Sequence, residues 1–566
     1  MNDQKNLLLA VVLSAIVLFG WSAISERFFP TANPAVTQVK NGQEVVLPKS
    51  GPVPTAGVPT IRNRAQVIAE TPRLKVRTPN LVGSINLKGA RIDDLVLANP
   101  LYTETIKAGS PPVRLFSPSG TAKAYFAQVG WTGAGAPPAD AIWSASAAEL
   151  TPTTPVTLSW TSASGQTFEI GLTVDDKFMF TATQRVVNRG AGAIAVQPYA
   201  LVSRAGQSTD PDAWTAHVGL VGVFDSLLKD VNYDEAVKAG TISETSRGGW
   251  IGFTDKYWLA AVIPDQKARI DAAFRHSEGD RFQTDIAGQP KLVGPGQQAA
   301  TTTRLFVGAK EVQTLDRYED ELGIPLFGRA IDWGWFEIIA KPIFQLLDWL
   351  FRFTGNFGVA IIGLTIIVRI AMFPIANKQF ASMARMRIIA PKMKEVQERY
   401  KDDRVRMQQE VMKLYQTEKV NPLAGCLPIL LQIPIFYALY KTLMLSIEMR
   451  HQPFVLWIKD LSAPDPLTPV NLFGLLPFTP PQFIALGVLP ILLGVTMWLQ
   501  QKLNPAPMDE IQQKVFSIMP WVFMFIMAPF AAGLQLYWTT NNILSIGQQW
   551  WLYKKHGAPV SEPAKS

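Results

Sequence analysis

A single cysteine, Cys426, in a chain of 566 residues leaves no internal disulfide framework and no cysteine-built zinc site. The four histidines, His217, His276, His451 and His556, stand far apart, so no His-rich metal spacing appears. No P-loop occurs, and the expected chemistry requires neither a nucleotide nor another cofactor. Charge is scarce: 17% of residues are charged against 48% hydrophobic, with mean hydropathy +0.12. A purely soluble protein seldom combines those values with so many apolar runs. The net charge of +8 fits the basic cytoplasmic loops of a membrane protein better than a nucleic-acid surface, and no direct nucleic-acid substrate is expected.

What is present centres on Phe353 to Ala376, FTGNFGVAIIGLTIIVRIAMFPIA. At 1.5 Å per helical residue it is long enough to cross a hydrocarbon core of roughly 30 Å. It carries Arg369, with Thr365 one turn earlier on the same face. A charge at the middle of a span costs about 2.5–3.5 kcal/mol on insertion scales. Two readings follow. The arginine snorkels or pairs inside a bundle, or it faces a wet cavity where something crossing the membrane is handled.

Leu7 to Ile24 is an apolar run after a weakly basic start, read as an uncleaved anchor with a cleaved signal peptide as the alternative. Phe29 to Thr60 is rich in Pro, Thr, Val, Gly and Ala, an extended linker unable to build a core. From Ile61 to Ile324 period-two alternation recurs, as in Phe168, Ile170, Leu172 and Val174, then Phe178, Phe180 and Ala182 after Asp175-Asp176. That pattern predicts a large antiparallel β-sandwich outside the cytoplasm. Asp93-Asp94 and Asp175-Asp176 read as turns or strand ends, and no catalytic site is expected there. An anchored sugar-binding or sugar-modifying protein is the reading that this domain would otherwise support.

In Trp333 to Arg352 the charges Glu337, Lys341, Asp348 and Arg352 fall within about 60° of the helix circumference. The helix either lies in the outer membrane interface or packs on the β-domain. Asn377 to Asn421 is strongly basic and therefore cytoplasmic. Met383, Met386 and Met393 recur there at helical spacing, and a break at Lys401-Asp402-Asp403 implies a helical hairpin. The methionines form the seam between its arms, an adaptable face for apolar partners, or both. Further spans are expected over Leu423–Ile447, containing Gln432, over Phe483–Gln500 and Val515–Phe530, both short, and over Leu534–Tyr553. The last carries a polar stripe of Tyr537, Asn541, Ser545 and Gln548-Gln549, flanked by Trp538.

The fold class is thus a multi-domain membrane protein: an α-helical transmembrane bundle of six spans, five in the core, plus a large external antiparallel β-sandwich. The expected domains are an anchor (1–28), a flexible linker (29–60), the sandwich (61–324), an interfacial amphipathic helix (325–352), a five-span core (353–553) with the hairpin 377–421, and a short cytoplasmic tail (554–566). The bundle has no carboxylate at mid-depth and no obvious inverted repeat, which weakens a proton-coupled transporter. A polar-solute transporter or channel gated by Arg369 remains the alternative.

Four segments, GRAIDWGWFEIIAKPIFQLLDWL, LTIIVRIAMFPIANKQFASMARM, EKVNPLAGCLPILLQIPIFYALY and GLQLYWTTNNILSIGQQW, together resemble the YidC membrane-protein insertases, relatives of the Oxa- and Albino-type insertases. The anchor and β-domain resemble the Gram-negative form. The resemblance implies inner-membrane insertion and folding of nascent membrane proteins, alone or with the Sec translocon and its accessory subunits, and not an enzyme. It implies both termini in the cytoplasm, a periplasmic galactose-mutarotase-like sandwich, and a positively charged hydrated groove. Arg369 matches the family's arginine. Thr365, Gln432, Tyr537 and Trp538 match groove or substrate-contacting positions, with Asn541 on the same stripe. The hairpin would meet substrates, the ribosome or targeting factors, and membrane lipids would surround the bundle.

Overall fold

The computed structural model describes residues 37–40, 43–46, 61–133, 135–210, 216–400, 403–418, 427–473, 475–476, 478, 486–503 and 510–556. The predicted anchor Leu7–Ile24 lies outside them. So do the side chains of Gln432, Met383 and Met386. The chain divides into two units, Met1–Gly51 and Pro52–Ser566. In the first, Thr37–Lys40 pairs antiparallel with Gln43–Val46. The extended character expected of this stretch takes the form of this antiparallel strand pair.

The second unit begins with a β-sandwich. A 9-stranded sheet runs from Leu227–Val231 at one edge, through the long central strands Gln298–Ala309 and Met179–Asn188, to Ser144–Ala145. An 11-stranded sheet runs from Thr241–Arg247, through Ile194–Ala205 and Tyr125–Gly133, to Glu149–Leu150. The pairings are antiparallel except where Arg73–Arg77 meets Glu149–Leu150. Alternation decides which side chains face inward. Phe168, Ile170, Leu172 and Val174 are buried on one strand, and Phe180 and Ala182 on its partner. Asp175 is the expected turn residue, its Oδ1 accepting from the amides of Lys177 and Met179. Asp93 and Asp94 are not turns. They sit inside strand Arg91–Leu97, beside a register shift, and are held by Arg73 on one side and Arg64 and Arg114 on the other. Three short helices decorate the sandwich: α1 (Arg64–Ala69), α2 (Tyr233–Ala239) and α3 (Val312–Leu322).

Seven more α-helices follow among the described residues: α4 (Glu337–Thr354), α5 (Phe357–Arg399), α6 (Arg404–Thr417), α7 (Leu427–Leu445), α8 (Val488–Leu503), α9 (Glu510–Met527) and α10 (Ala532–His556). Among the described residues, one helical stretch, Phe357–Asn377, is long and apolar enough to cross a membrane. Ile433–Leu445, Val488–Leu503 and Lys514–Met527 are shorter apolar helices. The helix bearing Arg369 starts later than expected. Gly355, at φ 69°, ends α4, and Asn356 Oδ1 caps α5 by accepting from Val359 N at 3.1 Å. It also ends later, since no break falls at Asn377: the apolar stretch and the first arm of the hairpin are one helix of 43 residues. Helix α5 ends at Arg399 and α6 begins at Arg404, with Asp403 Oδ1 accepting from Arg406 N at 3.0 Å, while Lys401-Asp402 lie outside the described residues.

The sandwich core runs without a gap into the helices, joining Phe327 and Trp333 to Ala340, Phe344 and Ala438. A second core, including Leu347, Ile361, Leu364, Leu443, Leu493 and Tyr537, binds α4, α5, α7, α8 and α10. The charged face of α4 turns to the β-domain. Lys341 Nζ reaches Asp316 Oδ1 at 3.1 Å, and Asp348 Oδ2 accepts from Gln313 at 2.7 Å, both partners lying on α3. On α7, Lys441 is 2% exposed and its Nζ lies 3.1 Å from Asp332 Oδ2. Just beyond α7, Glu448 Oε1 accepts from Val312 N, at the start of α3, at 3.0 Å.

Candidate functional site

Arg369 points from α5 to α10. Its Nε donates to Asn541 Oδ1 at 2.9 Å, and its Nη2 donates to the Asn541 carbonyl at 3.2 Å and to Ser545 Oγ. Asn541 and Ser545 are one turn apart, so a single helical face presents both acceptors. Ser545 Oγ in turn donates to the Asn541 carbonyl at 2.6 Å, which fixes the hydroxyl. These described bonds all go to uncharged acceptors. The guanidinium is positioned by them, and its charge is not neutralised by them.

Thr365 lies one turn before Arg369 but is buried, and its Oγ1 donates to the Ile361 carbonyl at 2.7 Å within α5. Tyr537 is also buried, on the same stripe as Asn541. Trp538 is half-buried and packs edge-on against Phe436 of α7, with ring centroids 4.7 Å apart, and against Phe523 of α9 at 4.8 Å. Arg369, Asn541 and Ser545 therefore form one contact group, with Tyr537 on the stripe above. Trp538 belongs to an adjoining aromatic contact among α7, α9 and α10. Met393 is buried in the hairpin seam, where its Sδ accepts from Tyr415 Oη at 3.1 Å.

The region also holds polar atoms with no protein partner. Trp538 Nε1 and Gln548 Nε2 are buried and unbonded. Such groups in hydrocarbon surroundings require water or an incoming polar group. Among the described residues no cluster of three or more His, Cys, Asp or Glu side chains is placed to hold a metal.

Two supports were not read from the sequence. Gln535 Nε2 donates to the carbonyls of Met527, Ala528 and Phe530, closing the tight turn from α9 into α10. Asp465 accepts from Trp457 Nε1 at 2.9 Å, Leu467 N at 3.0 Å and Leu489 N at 2.8 Å, tying the loop after α7 to the first turn of α8. Both were hidden because each polar side chain also answers groups on a neighbouring segment. An Asp followed by a proline-rich loop and then an apolar run was the one available sign of such a cap.

The class of the protein follows from its sequence relatives. The chain belongs to the YidC family of membrane protein insertases. The family model described as 60Kd inner membrane protein matches residues 349–558, and the YidC periplasmic domain model matches residues 73–346. The Membrane protein insertase YidC of Zymomonas mobilis is 50% identical over 567 residues, spanning 99% of this chain and 96% of that one. Its namesake in Methylorubrum extorquens is 44% identical over 595 residues, again over 99% and 96%. These relatives are named as insertases and not as enzymes. A crystal structure of an active YidC insertase with its first transmembrane domain resolved aligns over 84% of this chain and 94% of that chain, at 17% identity and TM-score 0.35.

Proposed function

We propose that the protein inserts nascent membrane proteins into the inner membrane and assists their folding, with Arg369 as the polar anchor of a hydrated groove. The observation that carries this reading is the bonding of Arg369 to the uncharged acceptors Asn541 and Ser545. Charge-assisted hydrogen bonds are roughly twice as strong as neutral ones, and a carboxylate accepts from a guanidinium through two parallel bonds. An acidic side chain in a translocating tail therefore displaces the neutral partners at a gain, and they recapture the guanidinium when the tail moves on. A tightly paired arginine would offer no such exchange.

The groove lowers the main cost of insertion. Each unpaired polar group of a tail in hydrocarbon costs several kcal/mol. Water around Trp538 Nε1, Gln548 Nε2 and Arg369 removes part of that cost across half the membrane. Short spans at α8 and α9 thin the bilayer and shorten the rest of the path. The apolar segment then leaves for lipid, driven by about 25 cal/mol per Å² of apolar surface buried. In this reading the chain spans the membrane six times, with both termini in the cytoplasm and the sandwich in the periplasm. Gln432 and Trp538 line the path with the buried Thr365 and Tyr537 behind it, and Met383 and Met386 of the hairpin, whose Met393 holds the seam, receive substrate, ribosome or targeting factor. The Sec translocon cooperates on larger substrates.

The test is insertion of paired single-span substrates, one with an acidic tail and one with a neutral tail. Arg369→Ala is expected to impair the acidic substrate more, and Arg369→Lys to retain part of the activity. Equal loss for both tails, at equal abundance of the variant, would remove the electrostatic role.

A further inference from the structure

A second polar face runs along α10, about 100° round the helix from the Asn541–Ser545 face that holds Arg369. It consists of Gln535, Thr539, Asn542 and Gln549, at spacings that keep one side of a helix in line. All four are buried, at 0%, 5%, 5% and 5% exposure respectively. At one end Gln535 Nε2 bonds the carbonyls that close the α9–α10 turn, and in the middle the face meets α8, where Asn542 Nδ2 donates to Thr496 Oγ1 at 3.2 Å. That one bond does not account for the seam. Gln535 Oε1, Thr539 Oγ1 and Gln549 Oε1 are all buried with no partner. Side chains acting only as glue between two helices would bond one another. Here the polar atoms follow the helix axis for fourteen residues, about 21 Å, and leave acceptors open at both ends and in the middle.

From this geometry we infer that the α8–α10 seam is a second hydrated site, whose ligand is water, separate from the Arg369 side. Water supplies the donors that Gln535 Oε1 and Gln549 Oε1 lack, and Thr539 Oγ1 either gives or accepts. A seam already wetted can widen without exposing bare polar atoms to hydrocarbon, so α8 is the wall of the bundle able to part from α10. The inference does not depend on Arg369 contacting substrate.

Single-cysteine labelling tests it in the full chain. Cys426→Ser removes the sole native thiol. In that background Thr539→Cys reports the seam, Ser545→Cys the Arg369 side, and Ile543→Cys the apolar outer face of α10, where Ile543 is 55% exposed. A charged, membrane-impermeant thiol reagent is applied to vesicles of each orientation. Thr539→Cys is expected to react at least tenfold faster than Ile543→Cys. Equal slowness of Thr539→Cys and Ile543→Cys overturns the inference whatever Ser545→Cys does. A fast Thr539→Cys with a slow Ser545→Cys supports the seam while sinking the hydrated Arg369 groove. If Thr539→Cys does not accumulate, Thr496→Cys on the opposite wall gives the same comparison.

Discussion

The contact between Glu448 and α3 makes the union of β-domain and helices sensitive to pH. Glu448 follows α7, its Oε1 takes the Val312 amide, and its Oε2 is buried without a partner. Its stem is partly exposed, but the carboxyl group is not. Burial, with a smaller push from Glu311 and Asp348, raises its pKa from the ordinary 4.5 to about 7. A carboxyl raised in this way stabilises the closed contact fully below the open-state value. That advantage is lost as pH rises from 4.5 to about 7, and no further change follows above. The difference amounts to about 3 kcal/mol, or a factor on the order of 100 in the opening equilibrium. Amide hydrogen exchange at Val312 reads that opening directly. Corrected for the intrinsic effect of pH, protection should fall about 100-fold between pH 4.5 and pH 8. Glu448→Gln keeps the acceptor and removes the charge, so its protection should stay level and exceed wild type at pH 8. Unchanged wild-type protection across this range, or a Glu448→Gln profile that tracks wild type, would refute the reasoning.

Two further predictions concern supports of the same unit. Asp332→Ala leaves the buried Lys441 ammonium without its carboxylate and should destabilise the protein by about 3 kcal/mol, read as a lowered midpoint of thermal unfolding in detergent. Lys441→Met combined with Asp332→Ala should recover most of that loss, and failure to recover would show that the ion pair is not the cause. Asp465→Ala strips three donors of their acceptor and should cost about 3 kcal/mol, with faster tryptic cleavage at Lys459 as the local readout. Asp465→Asn, which keeps one carbonyl acceptor, should be milder.

The sandwich was legible because half-buried strands write their inner face directly into the sequence. Phe168, Ile170, Leu172 and Val174 are spaced by two and point inward together. The start of α6 was legible for an equally local reason, as Asp403 caps that helix. The end of the first apolar helix was not, because a change from apolar to basic residues marks a change of surroundings and not a change of backbone. Helix propensity carries α5 through Asn377, and even through Pro374 and Pro391. Asp93 and Asp94 misled because paired acids are common in turns, while their arginine partners come from other segments. The arginine of the candidate site was conspicuous as a lone charge in an apolar run. Its partners Asn541 and Ser545 stand more than 170 residues away, and a polar stripe on a helix does not announce which neighbour it faces.

The unbroken course of α5 has a mechanical consequence. Arg369 and the hairpin tip lie on one rod, about 45 Å apart at 1.5 Å per residue from Arg369 to Arg399. A body seizing the tip therefore holds a lever whose other arm carries the guanidinium, and torque applied at one end is felt at the other. Pro374 and Pro391 each omit a backbone bond along the shaft, so the lever has two compliant joints where that torque is absorbed or redirected.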